Sequence, residues 1–303
     1  MTQEALNKRI KTTKDLRGIV STMKMLSSVS VGQFERALKS LNQCTENIRS
    51  AFQGLFAQEN FHYEFPVSSN KTNQILCIII GTDNGLVGRF NRDVLDKIIP
   101  TLSDKTDKSR IRLITIGKRL SLMVNNSSWS VSASYNNSNT VKEIPSLACA
   151  VLTKINQLVS KERFNEVWLF YTDRKNTQSF VQARQLIPFQ TDLLMNLKTK
   201  KWDGKTLPLV TADHEALFSA LTHEYFTVLL THALTASLAA EHYTRMIHMQ
   251  QAEKNIDERL NNLQLIYQQA RQNQITDELI DIVSGAEALN KIKRGLDKFD
   301  KNA

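Results

Sequence analysis

Proline is scarce in this chain, and its absence from both ends says most about the fold. Five prolines occur in 303 residues, and none lies in 3–57 or 209–303. Because proline breaks a helix interior, stretches without it can stay helical. The C-terminal stretch could form a helix of roughly 80 residues, about 120 Å long, and the N-terminal stretch one of about 80 Å. Helices of this length must pack against another element.

Cysteine is also rare, and this argues against two kinds of site. The chain has three cysteines, Cys44, Cys77 and Cys149, far apart and without CxxC spacing. A disulfide framework and a zinc site are therefore not indicated. Because free cysteine is usually buried, we expect all three to be small core residues.

Long apolar runs are missing as well. No segment is long and apolar enough for a transmembrane helix, and the N-terminus lacks the apolar region of a secretory signal. We therefore expect a cytoplasmic protein. Since 41% of the residues are hydrophobic, the chain can bury a sizeable core in one or two domains.

Apolar residues recur every three or four positions at both ends, as in a coiled coil. The N-terminal set is Leu6, Ile10, Thr13, Leu16, Val20, Met23, Phe34, Leu38, Leu41, Ile48, Phe52 and Leu55. The C-terminal set is Leu217, Leu221, Val228, Ala236, Ala239, Tyr243, Met246, Met249, Ile256, Leu260, Leu263, Ile266, Ala270, Leu279 and Ile282. We predict that segments 1–60 and 208–303 pair as a long antiparallel two-helix coiled coil.

The intervening segment, 61–207, has an α/β pattern. The β-branched run at 75–80 predicts a buried strand, and further strands are predicted at 110–116, 129–135 and 166–171, with an edge strand at 184–188. Helices are predicted at 91–102, after 117 through 123, and at 145–161. This alternation predicts a small, mostly parallel sheet flanked by helices.

A glycine turn, GTDNGLVG at 81–88, follows the first predicted strand. Such turns often bind phosphate, but the GK[ST] ending of a P-loop and the GxGxxG order are both absent. We interpret Gly81, Gly85 and Gly88 as a structural turn, with Asp83 as a turn or helix-cap residue rather than a catalytic acid. No HExxH, nucleophile elbow or paired metal carboxylates occur, so an independent enzyme is not indicated, and no cofactor is expected.

The net charge of +9 favours an acidic partner. Basic residues cluster near both ends, at Lys8, Arg9, Lys11, Lys14, Arg17 and Lys24, and at Lys291, Lys293, Arg294 and Lys298. Aromatic residues suited to base stacking are not interleaved with them, so nucleic-acid binding is disfavoured. A coiled-coil scaffold and a basic nucleic-acid-binding helical protein remain as alternative interpretations.

Three segments resemble one family. The C-terminal segment 237–289, with ITDE at 275–278 followed by Asp281 and Gly285, closely resembles the last helix of the ATP synthase γ subunit. The Met23-Lys24-Met25 segment and the central GTDNGLVGRFN are similar to that family's first helix and central turn. The resemblance covers effectively the whole chain.

The resemblance implies a non-catalytic rotor shaft of an F-type ATP synthase. Such a shaft turns inside a hexamer of α and catalytic β subunits and couples ion translocation to ATP synthesis or hydrolysis. The implied partners are the α and β subunits, the ε subunit and the membrane c-ring, with no nucleic acid and no direct lipid insertion. The implied location is peripheral, at the cytoplasmic face of the bacterial inner membrane.

The resemblance also implies residue roles. Rotor–stator contacts are expected at Met23, Lys24, Met25, Arg245, Arg271, Gln272 and Thr276. For Met23, its spacing fits a coiled-coil seam residue equally well. The chain departs from the family at Ser21 and Ser30, where lysines are common, and at Asn84 and Val87, which replace the usual Arg and Cys.

A tail from residue 290 extends beyond the point where many relatives end. Leu289, Ile292, Leu296 and Phe299 have heptad-like spacing within a basic segment. We hypothesise that the tail extends the shaft and contacts the crown of the hexamer. A frayed, solvated end is the alternative.

Overall fold

A computed structural model describes residues 3–58, 74–102, 107–127, 129–138, 140–162, 164, 166–188, 202 and 206–299, with backbone only for 162 and 287–299. The chain divides into two compact units. One contains residues up to Lys24 and from Met249 onward, and the other runs from Met25 to His248. The two long helices each contribute residues to both units.

The elements follow the predicted order. In sequence they are α1 (Gln3–Phe56), β1 (Ile75–Ile80), α2 (Phe90–Leu102), a 3-10 turn (Lys108–Arg110), β2 (Ile111–Ile116), α3 (Lys118–Asn125), β3 (Ser130–Tyr135), α4 (Ile144–Glu162), β4 (Glu166–Lys175), β5 (Gln178–Ile187) and α5 (His214–Phe299). The α5 helix has 86 residues without interruption, as the absence of proline allows.

The sheet lies in the second unit and is mostly parallel, as predicted. Its strand order is β3-β2-β1-β4-β5, and only β5 pairs antiparallel. Because side chains alternate across a strand, β1 contributes to two cores. Leu76, Ile78 and Ile80 pack with residues of α1, α4 and α5, whereas Ile75 and Cys77 pack with residues of α2 and α3. The sheet is therefore covered on both faces.

The predicted edge strand is longer than its sequence pattern indicated. It begins at Gln178 rather than at residue 184, and it forms a hairpin with β4, which extends to Lys175. The turn places Asn176 at a φ of 57°, a left-handed conformation that asparagine tolerates. The residues added to β5, 178–183, are exposed or intermediate, and none is buried. Their sequence lacks the apolar alternation by which a half-buried strand is recognised.

Within the second unit, α1 and α5 pack antiparallel through aromatic residues. Phe52 meets Phe218 edge-on, with ring centroids 5.8 Å apart, and Phe34 stacks on His242 at 5.4 Å. As the residue number falls along α1, it rises along α5. The predicted antiparallel pairing is therefore confirmed here.

The first unit shows the same antiparallel arrangement. Arg17 Nε donates to Asp257 Oδ1 at 2.5 Å, and Lys24 forms an ion pair with Glu253. Nearer the start of α1, Gln3 Nε2 donates to the Tyr267 hydroxyl at 3.3 Å. Leu6, Ile10, Met249 and Leu260 are buried.

The predicted seam is wrong at four positions. Leu16, Ile266, Leu279 and Ile282 are between 48% and 68% exposed. The three α5 residues lie near or beyond the point where Gln3 meets Tyr267, and α1 begins at Gln3, so few or no α1 residues remain to cover them. Leu16 lies on the exposed side of α1. It follows Thr13 by three residues, which is less than the 3.6 residues of a full helical turn, so its side chain is rotated away from the buried side of the helix.

The cysteine prediction is wrong for two of three residues. Cys77 is buried in β1, where burial raises the pKa of its thiol, but Cys44 and Cys149 are exposed. Both exposed cysteines lie on helices, where one face points to solvent. In the described residues, no helix is long and apolar enough to cross a membrane.

Candidate functional site: the glycine turn and the exposed faces of the long helices

The glycine turn leaves the carboxyl end of β1 and is closely packed. A Cβ atom on Gly81 would lie 2.6 Å from Asn91 Oδ1 and 2.7 Å from Leu120 Cβ. Gly88 has a φ of +60°, and a Cβ there would lie 2.9 Å from His248 Nε2. The first glycine thus allows close approach and the last supplies a left-handed conformation.

Asp83 connects the turn to two other segments. Its Oδ1 accepts hydrogen bonds from the backbone N–H of Lys118 at 2.7 Å and of Asn137 at 3.0 Å. Lys118 is the first residue of α3, whose opening N–H groups have no partner within the helix. Asp83 therefore caps α3 from a distant position in the sequence.

Two asparagines complete the turn, and sequence reasoning did not identify either. Asn91 accepts from the Thr82 backbone N–H and donates to the Thr82 hydroxyl, both at 3.0 Å. Asn137 donates to the Gly81 carbonyl, also at 3.0 Å. Asn91 could have been found, because it is a polar residue on the apolar face of an amphipathic helix. Asn137 carries no comparable signal.

The turn packs directly on α5. Val87 and Phe90 form a small buried cluster with Ala240 of α5. Arg245 Nε lies 3.4 Å from the Gly85 carbonyl. One α5 segment therefore receives both apolar and polar contacts from the turn.

A buried charged cluster lies on this α5 segment. Arg245 Nη2 donates to Glu241 Oε1, and Arg245 Nη1 lies 3.4 Å from His242 Nδ1. Burial raises the pKa of Glu241 to about 7, although Arg245 opposes this, and Asp83 adds to the rise. Burial, assisted by Arg245, lowers the pKa of His242 to about 4. The imidazole is therefore neutral at pH 7.

The structure places Arg245 differently from the other expected contact residues. Its side chain is 7% exposed and faces the turn inside the second unit. Arg271, Gln272 and Thr276 are exposed on α5, and the Thr276 hydroxyl donates to the Gln272 carbonyl at 2.9 Å. Met25 is 61% exposed on α1.

Met23 and Lys24 are intermediate in exposure. Lys24 faces Glu253, eighteen residues before Arg271 on α5, which is about 27 Å along the helix. Within the first unit, the structure therefore does not bring Lys24 together with Arg271, Gln272 and Thr276. Met25 and Arg245 belong to the second unit.

Large apolar side chains are exposed on the last described part of α5. Between residues 271 and 286 every described side chain is exposed, including Ile275, Leu279, Ile280, Ile282 and Val283. An exposed apolar surface of this kind is typical of an interaction site. Across the described ranges, no group of three His, Cys, Asp or Glu residues could hold a metal ion.

Curated relatives cover nearly the whole chain. The ATP synthase gamma chain of Wolbachia pipientis is 27% identical over 300 residues, covering 94% of this chain and 98% of that protein. The gamma chain of Ruthia magnifica is 27% identical over 285 residues, covering 93% and 97%.

Solved structures share the fold. In the Euglena gracilis mitochondrial ATP synthase (OSCP, F1 and c-ring, rotational state 3), one chain matches with a TM-score of 0.67 and 17% identity, covering 96% of both chains. A second match, in the rotor of that enzyme, has a TM-score of 0.62 and 15% identity, covering 90% of this chain and 99% of the other. A family model described as ATP synthase matches residues 2–289. With this match, the chain belongs to the ATP synthase gamma-subunit family.

Proposed function

We propose that this chain is the non-catalytic central shaft of a rotary ATP synthase. The observation that carries this role is the exposed apolar surface of α5 between residues 271 and 286. A ring of surrounding subunits would bury that surface. Ile275, Leu279 and Ile282 would then pack against the α and β subunits.

The contact residues fit a surface that slides past several partners in turn. Arg271, Gln272 and Thr276 are exposed and polar, and guanidinium and amide groups form reversible hydrogen bonds with carboxylate and carbonyl acceptors. Met25 presents an exposed apolar side chain on α1. Differential contact of such groups with each β subunit would bias its catalytic site among binding states.

The charge of α1 supports the same assignment. Lys8, Arg9, Lys11 and Lys14 are exposed. Acidic loops of the β subunits would complement them, and electrostatic complementarity favours specific assembly. Lys24 is paired with Glu253, so a contact through Lys24 would compete with that ion pair.

Arg245 would support coupling indirectly. Its guanidinium binds Glu241 and approaches the Gly85 carbonyl, so it holds the glycine turn against α5. We assign it to positioning the turn, while the exposed residues make the contacts with the stator.

The segment 61–207 would form the foot of the shaft. It would attach to the ε subunit and the membrane c-ring, at the cytoplasmic face of the bacterial inner membrane. The Euglena gracilis structure in rotational state 3 contains F1, OSCP and a c-ring. By analogy, the tail from residue 290 would extend the shaft toward the crown of the hexamer.

The test is co-expression with the α and β subunits of the same genome. Size-exclusion chromatography and an ATPase assay would be performed with and without this chain. We expect one copy to co-elute with a hexamer and to raise its turnover. Co-elution without any change in turnover would contradict the proposal and favour a scaffold. Binding that falls steeply with salt and needs no partner subunit would favour a nucleic-acid-binding protein.

Rotation can be observed directly by attaching a probe to one of the natural cysteines. Cys149 is exposed on α4 in the foot segment, and Cys44 is exposed on α1. A Cys44→Ser variant leaves Cys149 for attachment of a biotinylated probe, because Cys77 is buried. We expect stepwise rotation driven by ATP in the immobilised complex.

A further inference from the structure

The tip of the β4–β5 hairpin lies against both long helices. Arg174, near the end of β4, forms an ion pair with Glu35 of α1. Its guanidinium carbon also lies 4.3 Å from the centre of the Tyr243 ring of α5. One side chain of the sheet therefore contacts both helices at the same level.

The hairpin itself holds this guanidinium in place. Arg174 Nη1 donates to the Asn176 carbonyl in the turn at 3.2 Å. The backbone N–H of Arg174 donates to Asp173 Oδ1 at 2.7 Å. Because the hydrogen bond to Asn176 already restrains the Arg174 guanidinium, less side-chain conformational freedom is lost when its other N–H groups bind Glu35.

Arg174 contacts α1 and α5 at a point where these two helices also contact each other. Phe34 and His242, which stack on each other, immediately precede Glu35 and Tyr243 in the sequence. The next α5 residue, Thr244, lies 3.5 Å from Ser179 of β5 through the two hydroxyl oxygens. The hairpin thus meets the helix pair where the two helices are in direct aromatic contact.

The Arg174 contact is more protected than a typical surface ion pair. The Arg174 side chain is 21% exposed, and that of Glu35 is 45% exposed. An exposed ion pair contributes little by itself. Because the guanidinium also lies over the Tyr243 ring, it gains a cation–π contact in addition to the ion pair.

We propose that Arg174 is a positioning residue that transmits torque between the foot and the shaft. The inference rests on the proposed rotor function. Under torque, two paired helices can slide or rotate past one another. A group that fixes both helices to the sheet at one level opposes that movement. Loss of the group would allow ATP hydrolysis to proceed with less rotation of the foot.

The experiment uses the complete complex in its membrane. ATP hydrolysis is measured by phosphate release. Ion translocation is measured with a potential-sensitive dye, which responds to protons and to sodium alike. We expect Arg174→Gln to lower the translocation per ATP hydrolysed, because the guanidinium that contacts both Glu35 and Tyr243 is lost. Arg174→Lys should recover part of the loss, because it keeps the charge beside Glu35.

Tyr243 provides a second test that leaves the arginine in place. Tyr243→Phe keeps the aromatic face and should retain normal coupling, whereas Tyr243→Leu should lose it. The matched control is Arg92→Gln, at an exposed arginine of α2. If the Arg174→Gln variant does not assemble, the coupling of Tyr243→Phe compared with that of Tyr243→Leu tests the proposal instead.

The outcomes separate this inference from the proposed function. If the wild-type chain forms no coupled complex, the rotor function fails. If wild type is coupled and the Arg174→Gln and Tyr243→Leu variants show normal translocation per ATP, the torque role of Arg174 is overturned. A loss of coupling equal to that of Arg92→Gln would also overturn it.

Discussion

Arg245 Nη2 lies 2.5 Å from Glu241 Oε1, one turn earlier on α5, and both side chains are buried. A buried ion pair is stabilising only if its remaining donors and acceptors are satisfied. Here the guanidinium also approaches the Gly85 carbonyl and the His242 ring. The pair therefore connects the glycine turn to the longest helix of the protein.

The Glu241 carboxyl should make stability depend on pH. Folding raises its pKa from 4.5 to about 7, so the folded state binds the proton more tightly than the unfolded state. Its contribution is fully present below pH 4.5 and is lost as the pH rises through 7. We expect the free energy of unfolding of wild type, relative to Glu241→Gln, to fall by up to about 3 kcal/mol from pH 4.5 to 8.

Urea denaturation of the full chain at several pH values would measure this difference. Glu224→Gln, at an exposed position of the same helix, is the matched control. A constant difference between wild type and Glu241→Gln across this pH range would contradict the prediction.

The His242 imidazole should have the opposite effect on the pH dependence of stability. Folding lowers its pKa from 6.5 to about 4, so the folded state resists protonation. Its contribution is present above pH 6.5 and is lost as the pH falls toward 4. His242→Asn should therefore remove part of the acid-side loss of stability. Denaturation curves at pH 4.5 and 7 would measure this, and His223→Asn, at an exposed histidine, should leave the loss unchanged.

Gly117 should not tolerate a side chain. Its φ is +118°, and a Cβ would lie 2.8 Å from backbone atoms of Gly81 and Thr82. Gly117→Ala should lower the free energy of unfolding by more than about 2 kcal/mol, because both the conformation and the space are unsuitable. Gly18→Ala provides the contrast, since nothing lies within 4 Å there. In a helix interior it should stabilise by about 0.5–1 kcal/mol. Thermal unfolding of both variants would compare them.

The exposed polar residues of α5 should matter for turnover rather than for folding. Arg271→Ala combined with Gln272→Ala removes side chains that are exposed in this chain, so stability should change by less than about 0.5 kcal/mol. ATP turnover of the assembled α–β–shaft complex should fall. Lys254→Ala, at another exposed α5 position, is the control. Wild-type turnover with normal assembly would count against the contact role.

The tail is tested by truncation after Leu289. The backbone of α5 continues to Phe299, and the tail side chains lie outside the described residues. If the tail contacts the crown of the hexamer, the truncated chain should give lower coupled turnover or weaker assembly. Unchanged assembly and turnover would favour the alternative of a solvated end. Co-elution and ATPase rate measure the two effects.

Much of the fold was predictable because its signals are local. The uninterrupted helices follow from the placement of proline, and β1 follows from a β-branched run between a polar segment and Gly81. The antiparallel pairing could also be inferred, since both helices carry an apolar stripe. Leu279 and Ile282 were misplaced because the apolar stripe of α5 continues beyond the end of α1, and apolar spacing does not reveal where the pairing helix ends.

The candidate site was only partly predictable. Gly81 and Asp83 could be assigned to a structural turn from the missing P-loop residues, but the bonds from Asp83 to Lys118 and Asn137 could not be anticipated. The burial of Arg245 could not be anticipated from the sequence either. An arginine on a long helix has the same local pattern whether it faces a partner or its own turn.

The sequence by itself determined the helix lengths, the mostly parallel sheet and the family. These features depend on helix and strand periodicity and on motifs of a few neighbouring residues. Only the tertiary structure decided that Arg174 meets Glu35 and Tyr243, that Asp83 caps α3, and that Arg245 faces Gly85. The reason is physical: these contacts join residues tens to hundreds of positions apart, and their geometry is set by how sheet and helices pack rather than by any local pattern.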